Sequence, residues 1–265
     1  MHKQAGHMPF EVIGSIAILQ LPDERKKEAK KLAEKILASN RHIRTVLLKT
    51  GRVKGRLRKR KLMIVLGDKT KEAIHKENNC LMNLDVETCY FSPRLSNERH
   101  EIANEIAKQK GRKRVLVMFA GIAPYAIVAA KQNPKAEVTA VELNREACRY
   151  ADENVKLNKL NNLKIIQGDV KKVVQKLKLK DKFDFIVMPR PQLKDTFLKE
   201  AFAVSKKGTK IFYYDFAKQQ DIEGKIKAIG IAAKKCRKKI KIIRVKKAGE
   251  IAPYKFRIRV DFKVT

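Results

Sequence analysis

From Arg114 to the end of the chain, segments with the pattern of strands alternate with segments that have the pattern of helices. Such alternation predicts a mostly parallel sheet with helices on both faces. The predicted helices begin near Pro124, Arg145, Val170, Gln192 and Lys218. The predicted strands are 114–119, 137–142, 163–167, 183–188, 209–214, 239–245 and 256–263. No helical segment separates the last two strands, so we expect them to form an antiparallel hairpin at one edge of the sheet.

The part of the chain before this alternation is predicted to be a smaller α+β unit. Residues 12–19 have the pattern of a strand, and residues 23–38 have the pattern of an amphipathic helix. Short strands are predicted at 45–49, 61–66, 73–75 and 81–91. We therefore expect a disordered start over residues 1–8, a small α+β RNA-binding domain over 9–100 and an α/β sheet domain over 101–265.

The charge of the chain is strongly unbalanced. It contains 62 lysines and arginines against 28 acidic residues, which gives a formal net charge of +34. Nucleic acid is the most common partner of such a chain. A lysine-rich surface adapted to heat explains some of the lysines, but such surfaces gain glutamate as well. The basic, turn-rich loop at residues 49–61 is the clearest candidate for contact with RNA.

Other partners are less well supported by the composition. No apolar run is long enough to span a membrane, so we expect no membrane partner. The four cysteines are widely spaced, and neither they nor the five histidines have the spacing of a metal site. This pattern is typical of buried thiols in a reducing compartment. We expect a cytoplasmic, monomeric protein without a metal.

Residues 118–125 (MFAGIAPY) have the pattern of a strand that leads into a small-residue turn and then a helix. A doubly wound sheet presents a nucleotide-like cofactor at such a turn. Glu142 and Asp169 end the next two strands, where they can bind ribose hydroxyls and an adenine edge. Alternatively, Glu142 is a surface charge and Asp169 caps the next helix. The residues assigned to the cofactor are Phe119, Ala120, Gly121, Glu142, Leu143, Asp169, Val170 and Met188.

Four segments carry a resemblance to a known family: residues 10–19 (FEVIGSIAIL), 74–78 (IHKEN), 90–99 (YFSPRLSNER) and 118–122 (MFAGI). Over nearly its whole length the chain resembles the archaeal and eukaryotic tRNA (guanine-N1) methyltransferases. The resemblance implies S-adenosylmethionine as cofactor, a class I methyltransferase sheet and a small N-terminal domain that helps to bind tRNA. It also implies the guanine 3′ of the anticodon, position 37, as acceptor. The aminocarboxypropyl transferases of wybutosine synthesis are close relatives.

The resemblance assigns catalytic roles to Glu98 and Arg58. The general base of the family matches Glu98, and its essential arginine matches Arg58 in segment 53–58 (VKGRLR). Guanine N1 carries a proton that a base must remove, and a guanidinium near O6 would stabilise the developing negative charge. Alternatively, Glu98 only favours a helix N-terminus and Arg58 only binds phosphate. The residues assigned to RNA binding are Lys54, Arg56, Arg58, Lys59, Arg60, Arg94 and Arg190.

The chain also departs from the family. Val117 replaces a usual aspartate, and Ala123 replaces the second glycine of the turn, where its methyl group would meet the methionine moiety. Residues 189–191 (PRP) replace Asn-Leu-Pro, whose asparagine would contact the target base. We expect the extra N-terminal domain of the family to have no counterpart in this sequence. We hypothesise that Arg190 holds the acceptor in place of that asparagine; the alternative is that Arg190 points to solvent.

We therefore expect an S-adenosylmethionine-dependent tRNA methyltransferase that modifies N1 of guanine 37. One alternative is transfer of the aminocarboxypropyl group of the same cofactor onto a wybutosine precursor. Another is a tRNA-binding protein with a decayed site, which the departures at Val117 and Pro189 favour. The presence of the catalytic and cofactor candidates opposes this last reading.

Overall fold

The structure, a computed structural model, describes residues 10–51, 60–177 and 182–265. The chain divides into two compact units between Pro93 and Arg94. The boundary expected from the sequence, between residues 100 and 101, lies inside a helix of the second unit. That helix belongs to the second unit because it packs against another helix of the same unit.

The first unit contains a four-stranded sheet and a separate hairpin. Its strands are β1 (Phe10–Ile13), β2 (Ile16–Leu19), β3 (Thr45–Lys49), β4 (Leu62–Gly67), β5 (Glu72–Glu77) and β6 (Cys80–Asp85). Strands β1 to β4 lie in that order, with β2 and β3 parallel and the other pairs antiparallel. Strands β5 and β6 form the hairpin. Helix α1 (Ala29–Ser39) buries one face against the four-stranded sheet, as its amphipathic pattern predicts.

Two details of the first unit differ from the sequence prediction. Residues 12–19, predicted as one strand, belong to two strands joined by a tight turn at Gly14. The φ angle of Gly14 is +55°, and a Cβ atom there would lie 2.4 Å from the carbonyl oxygen of Ile74. Only glycine fits such a position. The α-helix predicted from residue 23 begins at Ala29, because Asp23–Glu28 form a 3-10 helix.

The second unit is a seven-stranded sheet with helices on both faces. Its helices are α2 (Ser96–Ala107), α3 (Pro124–Gln132), α4 (Arg145–Leu157), α5 (Val170–Leu177), α6 (Leu198–Ala203) and α7 (Ile222–Lys235). Its strands are β7 (Arg114–Met118), β8 (Glu137–Glu142), β9 (Leu163–Gln167), β10 (Phe183–Met188), β11 (Ser205–Lys218), β12 (Ile240–Ala252) and β13 (Lys255–Val264). Throughout the described part of the chain, no helix has the length and apolar character needed to cross a membrane.

The strand order is β12-β13-β11-β10-β7-β8-β9. Strands β7 to β11 are parallel, whereas β13 pairs antiparallel with both β11 and β12. This arrangement confirms the predicted class I sheet and its antiparallel C-terminal hairpin. Two predicted helices begin later than expected: the one predicted near Gln192 begins at Leu198, and the one predicted near Lys218 begins at Ile222. The second shift arises because β11 continues to Lys218, which pairs with Lys255 of β13.

The strand order places four strand ends side by side. Strands β10, β7, β8 and β9 are parallel neighbours, so their carboxyl ends lie at one edge of the sheet. The turn after β7, Glu142 at the end of β8, Asp169 after β9 and Pro189 after β10 are therefore at the same edge. Ligands of doubly wound sheets bind at this edge.

Candidate active site

The turn between β7 and α3 has an unusual backbone. Phe119, Gly121 and Ala123 have φ angles of 58°, 58° and 66°, in the left-handed region. This region is costly for residues other than glycine, and such strain concentrates at functional sites. The turn is fixed by hydrogen bonds from the N–H of Ala123 to the oxygen of Ala120 (2.9 Å) and from the N–H of Ala120 to the oxygen of Val141 (2.9 Å).

The departures at Ala123 and Val117 leave this turn closed and well packed. Ala123 is fully buried, so its methyl group fills the interior and does not narrow the cofactor surface as the sequence suggested. Val117 is also fully buried, within strand β7. Helix α3 begins at Pro124, directly after the turn, which is a favourable position for proline.

Glu142 holds this turn from the end of β8. Its Oε2 accepts a hydrogen bond from the N–H of Gly121 (2.7 Å), and its Oε1 accepts from the N–H groups of Leu143 (2.8 Å) and Asn144 (2.7 Å). Burial raises the pKa of Glu142, although these three hydrogen bonds oppose that effect. A carboxylate has about four acceptor positions, so Glu142 can shape the turn and still accept a hydroxyl.

Asp169 follows β9 and caps the first turn of α5. Its Oδ1 accepts a hydrogen bond from the N–H of Lys171 (2.9 Å) in the first turn of α5. The residue is half-buried at the same sheet edge as Glu142. This contact is the capping role, one of the two roles that the sequence predicts for Asp169.

The remaining cofactor candidates differ in exposure. Leu143 is 38% exposed and Phe119 is half-buried, so both present surface to a ligand. Ala120 and Val170 are nearly buried. Met188 is fully buried among core side chains and presents no surface in this conformation. Its assignment to the cofactor is therefore corrected: the strand end is at the right edge of the sheet, but this side chain points into the core.

Glu98 lies in the first turn of α2 and is only 5% exposed. Three donors converge on its carboxylate. Oε2 accepts hydrogen bonds from Nη1 of Arg259 (2.7 Å) and from the hydroxyl of Tyr214 (2.9 Å), and Oε1 forms an ion pair with Nζ of Lys246. A role limited to stabilising the start of the helix does not account for this cluster, because the donors come from three different strands.

Arg259 is the centre of a larger buried network. Its guanidinium is fully buried and donates to Glu98, to Oε1 of Glu101 (2.6 Å) and to both carboxylate oxygens of Asp261. Burial acts to raise the pKa of Glu101, but hydrogen bonds from Arg259 and Lys246 lower it to about 2. Burial raises the pKa of Asp261, and Arg259 opposes that shift.

Arg259, Tyr214 and Lys246, the partners of Glu98, are not among the site residues predicted from the sequence. A signal was present: Arg259 and Asp261 alternate with apolar residues in β13, and so project from the same face of the strand. Tyr214 lies directly opposite Arg259 in the pairing of β11 with β13. Charged residues inside a strand that is otherwise apolar therefore indicated a buried ion-pair network.

Arg190 is buried, and its guanidinium is hydrogen-bonded to other residues of the second unit. Its Nη1 forms a salt bridge with Oδ1 of Asp215 (2.7 Å), and its Nη2 donates to the carbonyl oxygens of Leu193 (2.6 Å) and Asp195 (2.7 Å). Both sequence readings of Arg190 are therefore corrected. The guanidinium points neither to solvent nor toward a base, because a carboxylate and two carbonyls of the same chain hold it.

The other RNA-binding assignments divide into three groups. Lys54, Arg56, Arg58 and Lys59 lie outside the described residues. Arg60 is largely buried in the first unit, where it donates to Oε2 of Glu11 (3.2 Å) and to the carbonyl oxygen of Phe91 (3.0 Å). Its assignment is corrected, because its guanidinium is already satisfied within the unit. Arg94 is exposed, as a phosphate-binding residue would be.

Two family models match the chain. The TRM5/TYW2 methyltransferase domain matches residues 73–243, and the TYW2 N-terminal domain matches residues 4–70. The first match covers more than half of the chain. The methyltransferase match begins at residue 73, within the first unit, and continues through most of the second unit.

The chain is similar to several characterised relatives. It is 35% identical to tRNA (guanine(37)-N(1))-methyltransferase Trm5b of Pyrococcus abyssi, over 97% of this chain and 74% of that protein. It is 33% identical to tRNA (guanine(37)-N(1))/4-demethylwyosine(37)-methyltransferase Taw22 of Nanoarchaeum equitans, over 96% and 99%. It is also 31% identical to the tRNA(Phe) (4-demethylwyosine(37)-C(7)) aminocarboxypropyltransferase of Methanocaldococcus jannaschii, over 96% and 97%.

Solved structures agree with these relationships. The crystal structure of Pyrococcus abyssi Trm5b matches 97% of this chain and 75% of that chain with a TM-score of 0.85. The complex of aTrm5 with tRNALeu matches 98% and 72% with a TM-score of 0.84 at 29% identity. Both comparisons confirm the fold class predicted from the sequence. The chain belongs to the TRM5/TYW2 methyltransferase family, as its motifs predict.

Proposed function

We propose that the chain is an S-adenosylmethionine-dependent tRNA methyltransferase that modifies N1 of guanine 37. One observation within the second unit supports this most directly. The hydroxyl of Tyr214 is bonded to Glu98, and its ring lies 5.8 Å from the ring of Tyr125, two residues after the left-handed turn. The candidate base Glu98 is thus connected to the helix that follows the candidate cofactor turn through the packed rings of Tyr214 and Tyr125.

The residues at the sheet edge fit the cofactor. Glu142 is fixed by three backbone donors and retains capacity to accept ribose hydroxyls, and Asp169 lies at the end of the adjacent strand. The exposed side chain of Leu143 would cover one face of an adenine. When bound, S-adenosylmethionine supplies a methyl group on a sulfonium centre. The chain itself must orient that group and remove the acceptor proton.

Glu98 is the proposed proton acceptor. Its carboxylate has about four acceptor positions, of which Arg259, Tyr214 and Lys246 occupy three. In the proposed step, the N1–H bond of guanine breaks and the proton moves to Glu98. The N1 electron pair would then bond to the methyl carbon of bound S-adenosylmethionine, and the methyl–sulfur bond would break to leave S-adenosylhomocysteine. Arg58 would stabilise the charge that develops on O6. Arg259 and Tyr214 hold the Glu98 carboxylate in one orientation throughout.

A transfer assay tests the activity. S-adenosylmethionine labelled in its methyl group is incubated with a tRNA transcript that carries guanine at position 37, and with a matched transcript that carries adenine there. We expect label in the first transcript only. Equal labelling of both transcripts, or of neither, would contradict the proposal.

A second candidate function is aminocarboxypropyl transfer onto 4-demethylwyosine at the same position. The match of residues 4–70 to the TYW2 N-terminal domain favours it. The two reactions break different bonds at the same sulfonium, so cofactor orientation separates them. Label placed in the aminocarboxypropyl carbons, not in the methyl group, would reach tRNA only by the second reaction.

The proposal includes a cytoplasmic location. It is supported by the four cysteines, all within the described residues, because none of them is joined in a disulfide. Disulfides are rare in the reducing cytosol. A monomer is proposed as well, and sedimentation would test it.

We expect Glu142→Ala to weaken binding of S-adenosylmethionine by about 1.5–3 kcal/mol, the value of a charge-assisted hydrogen bond. The variant loses an acceptor for the ribose and leaves the turn less well fixed. Calorimetry measures the change. Glu146→Ala is the control, because Glu146 pairs with Arg149 on the exposed face of α4. If both variants bind S-adenosylmethionine with the same affinity, Glu142 does not belong to the cofactor site.

Affinity for tRNA should fall steeply with salt, because the net charge is +34. Replacing Lys59 and Lys61 with glutamine should lower the salt slope by about one per lost phosphate contact. Arg60→Met should leave the salt slope of tRNA binding unchanged and lower the melting temperature, because Arg60 is hydrogen-bonded to Glu11 and to the carbonyl oxygen of Phe91. A binding titration at several salt concentrations distinguishes these effects, and a lower slope in Arg60→Met would contradict its internal role.

A further inference from the structure

The loop between β10 and α6, residues 189–197, is held from inside by Arg190. The side chain of Arg190 is 1% exposed and that of Asp215 is 8% exposed. One guanidinium nitrogen binds the Asp215 carboxylate, and another binds the carbonyl oxygens of Leu193 and Asp195. A single side chain thereby ties two backbone positions of the loop to strand β11.

The buried charge of Arg190 is compensated by the Asp215 carboxylate, although its Nε–H has no hydrogen-bond partner among the described residues. Oδ1 of Asp215 also accepts from the N–H of Phe216 (2.8 Å), and its Oδ2 lies 3.1 Å from Nζ of Lys225 and 3.3 Å from the hydroxyl of Tyr213. The guanidinium carbon lies 5.7 Å from the centre of the Tyr213 ring. Buried ion pairs persist where hydrogen bonds satisfy both partners, and removal of one partner is costly.

The opposite side of the loop contacts two segments that are proposed to bind the cofactor, namely the left-handed turn after β7 and the start of α5. The ring of Phe197 lies edge-on to the ring of Phe119, with centroids 4.9 Å apart. Asp195 forms an ion pair with Lys171 of α5, and its Oδ1 accepts from the N–H of Phe197 (3.0 Å). Phe119 belongs to the left-handed turn and Lys171 follows Asp169. The loop is therefore fixed at one end by Arg190 and touches both proposed cofactor segments at the other.

We propose that Arg190 is a positioning residue for the acceptor. It fixes the 189–197 loop at the carboxyl end of β10, and it acts through the carbonyl groups of Leu193 and Asp195, not by contact with the base. The proposal rests on the proposed function for its substrate. Loops at this edge of a doubly wound sheet form the walls of the ligand site. Pro189 and Pro191 fix two backbone φ angles beside Arg190 and make the loop path more rigid.

Only arginine fits this role among the basic residues. The planar guanidinium presents five N–H donors in a fixed fork and can bind a carboxylate and two carbonyls together. The lysine ammonium keeps the charge, but its single nitrogen cannot occupy two donor positions. Arg190→Lys therefore retains the charge pair with Asp215 and loses the hold on the loop.

The test compares Arg190→Lys with the wild type at saturating tRNA and S-adenosylmethionine. We expect the single-turnover rate to fall by about tenfold to a hundredfold, the cost of a small misplacement of the reacting groups. The affinity for tRNA should change little, because phosphate contacts dominate it. Arg114→Lys is the matched control. Arg114 pairs with Glu137 and covers the Phe183 ring at the opposite end of the sheet, so its variant should lose stability but not rate.

A second measurement does not depend on activity. Lys194 is exposed within the loop, and trypsin cleavage after it reports how firmly the loop is held. We expect faster cleavage in Arg190→Lys and in Asp215→Asn than in the wild type or Arg114→Lys. If both the cleavage and the single-turnover rate of Arg190→Lys match the wild type, the proposal is wrong. It is also wrong if cleavage is faster while the rate is unchanged, because the loop would then not position the acceptor.

Failure of the proposed function has a different result. In that case the wild type itself transfers no methyl group from S-adenosylmethionine to N1 of guanine 37. The cleavage after Lys194 then decides alone whether Arg190 holds the loop, and unchanged cleavage in Arg190→Lys overturns that claim.

Discussion

Glu98→Gln is expected to lower the single-turnover rate of methyl transfer by about 10²–10⁴-fold, the usual contribution of a general base. Glutamine keeps the shape of the side chain and one oxygen that can accept from Tyr214 or Arg259, but it cannot take the N1 proton. Binding of cofactor and tRNA should remain close to that of the wild type. A quench-flow experiment with excess enzyme measures the rate directly.

The control for this prediction is Glu101→Gln. Glu101 lies one turn further along α2 and shares Arg259 and Lys246 with Glu98. Loss of charge from the shared network affects both variants, whereas loss of the base affects Glu98→Gln alone. Similar rates for the two variants would mean that Glu98 acts only in the ion-pair network of Arg259 and that another residue is the general base.

Arg259→Met should lower the free energy of unfolding by about 3–5 kcal/mol, the cost of removing one partner from a buried ion pair. The guanidinium is fully buried, and its loss leaves the carboxylates of Glu98, Glu101 and Asp261 without their central cation. Urea denaturation measures the change. The control is Arg149→Met, whose ion pairs with Glu146 and Glu153 are exposed and worth at most about 1 kcal/mol.

The loss of unfolding free energy in Arg259→Met should depend on pH. The folded-state pKa of Glu101 is lowered from 4.5 to about 2, and hydrogen bonds from Arg259 and Lys246 cause the lowering. A lowered carboxyl pKa contributes stability that is complete above the unfolded value and is lost as the pH falls through the folded value. The difference between wild type and Arg259→Met should therefore be largest above pH 4.5 and should shrink toward pH 2. A difference that grows in acid would contradict the assigned network.

Much of the fold could be predicted from periodicity and turn residues. The alternation after Arg114 specified the sheet, and the missing helix between the last two strands specified the hairpin. One exception is the helix predicted near Gln192, which begins at Leu198. Residues 189–197 form a loop in which Arg190 binds the carbonyl oxygens of Leu193 and Asp195, and Arg190 is itself paired with Asp215 far along the chain. Local sequence patterns contain no information about such a distant partner.

The site was predicted less completely than the fold. The positions of Glu142 and Asp169 at one edge of the sheet could be predicted from the strand ends, and their role in cofactor binding stays a prediction. The role of an individual arginine does not follow from its charge. Arg60 and Arg190 were both assigned to RNA because the chain is basic, yet each is bonded within its own unit. Met188 was assigned from its place at a strand end, where a difference of one residue decides whether a side chain points to the core or to the ligand.

Mass spectrometry of the nucleoside at position 37 identifies both the transferred group and the atom that receives it. A tRNA transcript with guanine there is incubated with the enzyme and S-adenosylmethionine, then digested. We expect a gain of one methyl group, with the product eluting as N1-methylguanosine and absent from the Glu98→Gln reaction. An unmodified guanosine, a methyl group on another atom, or a gain of an aminocarboxypropyl group would contradict it.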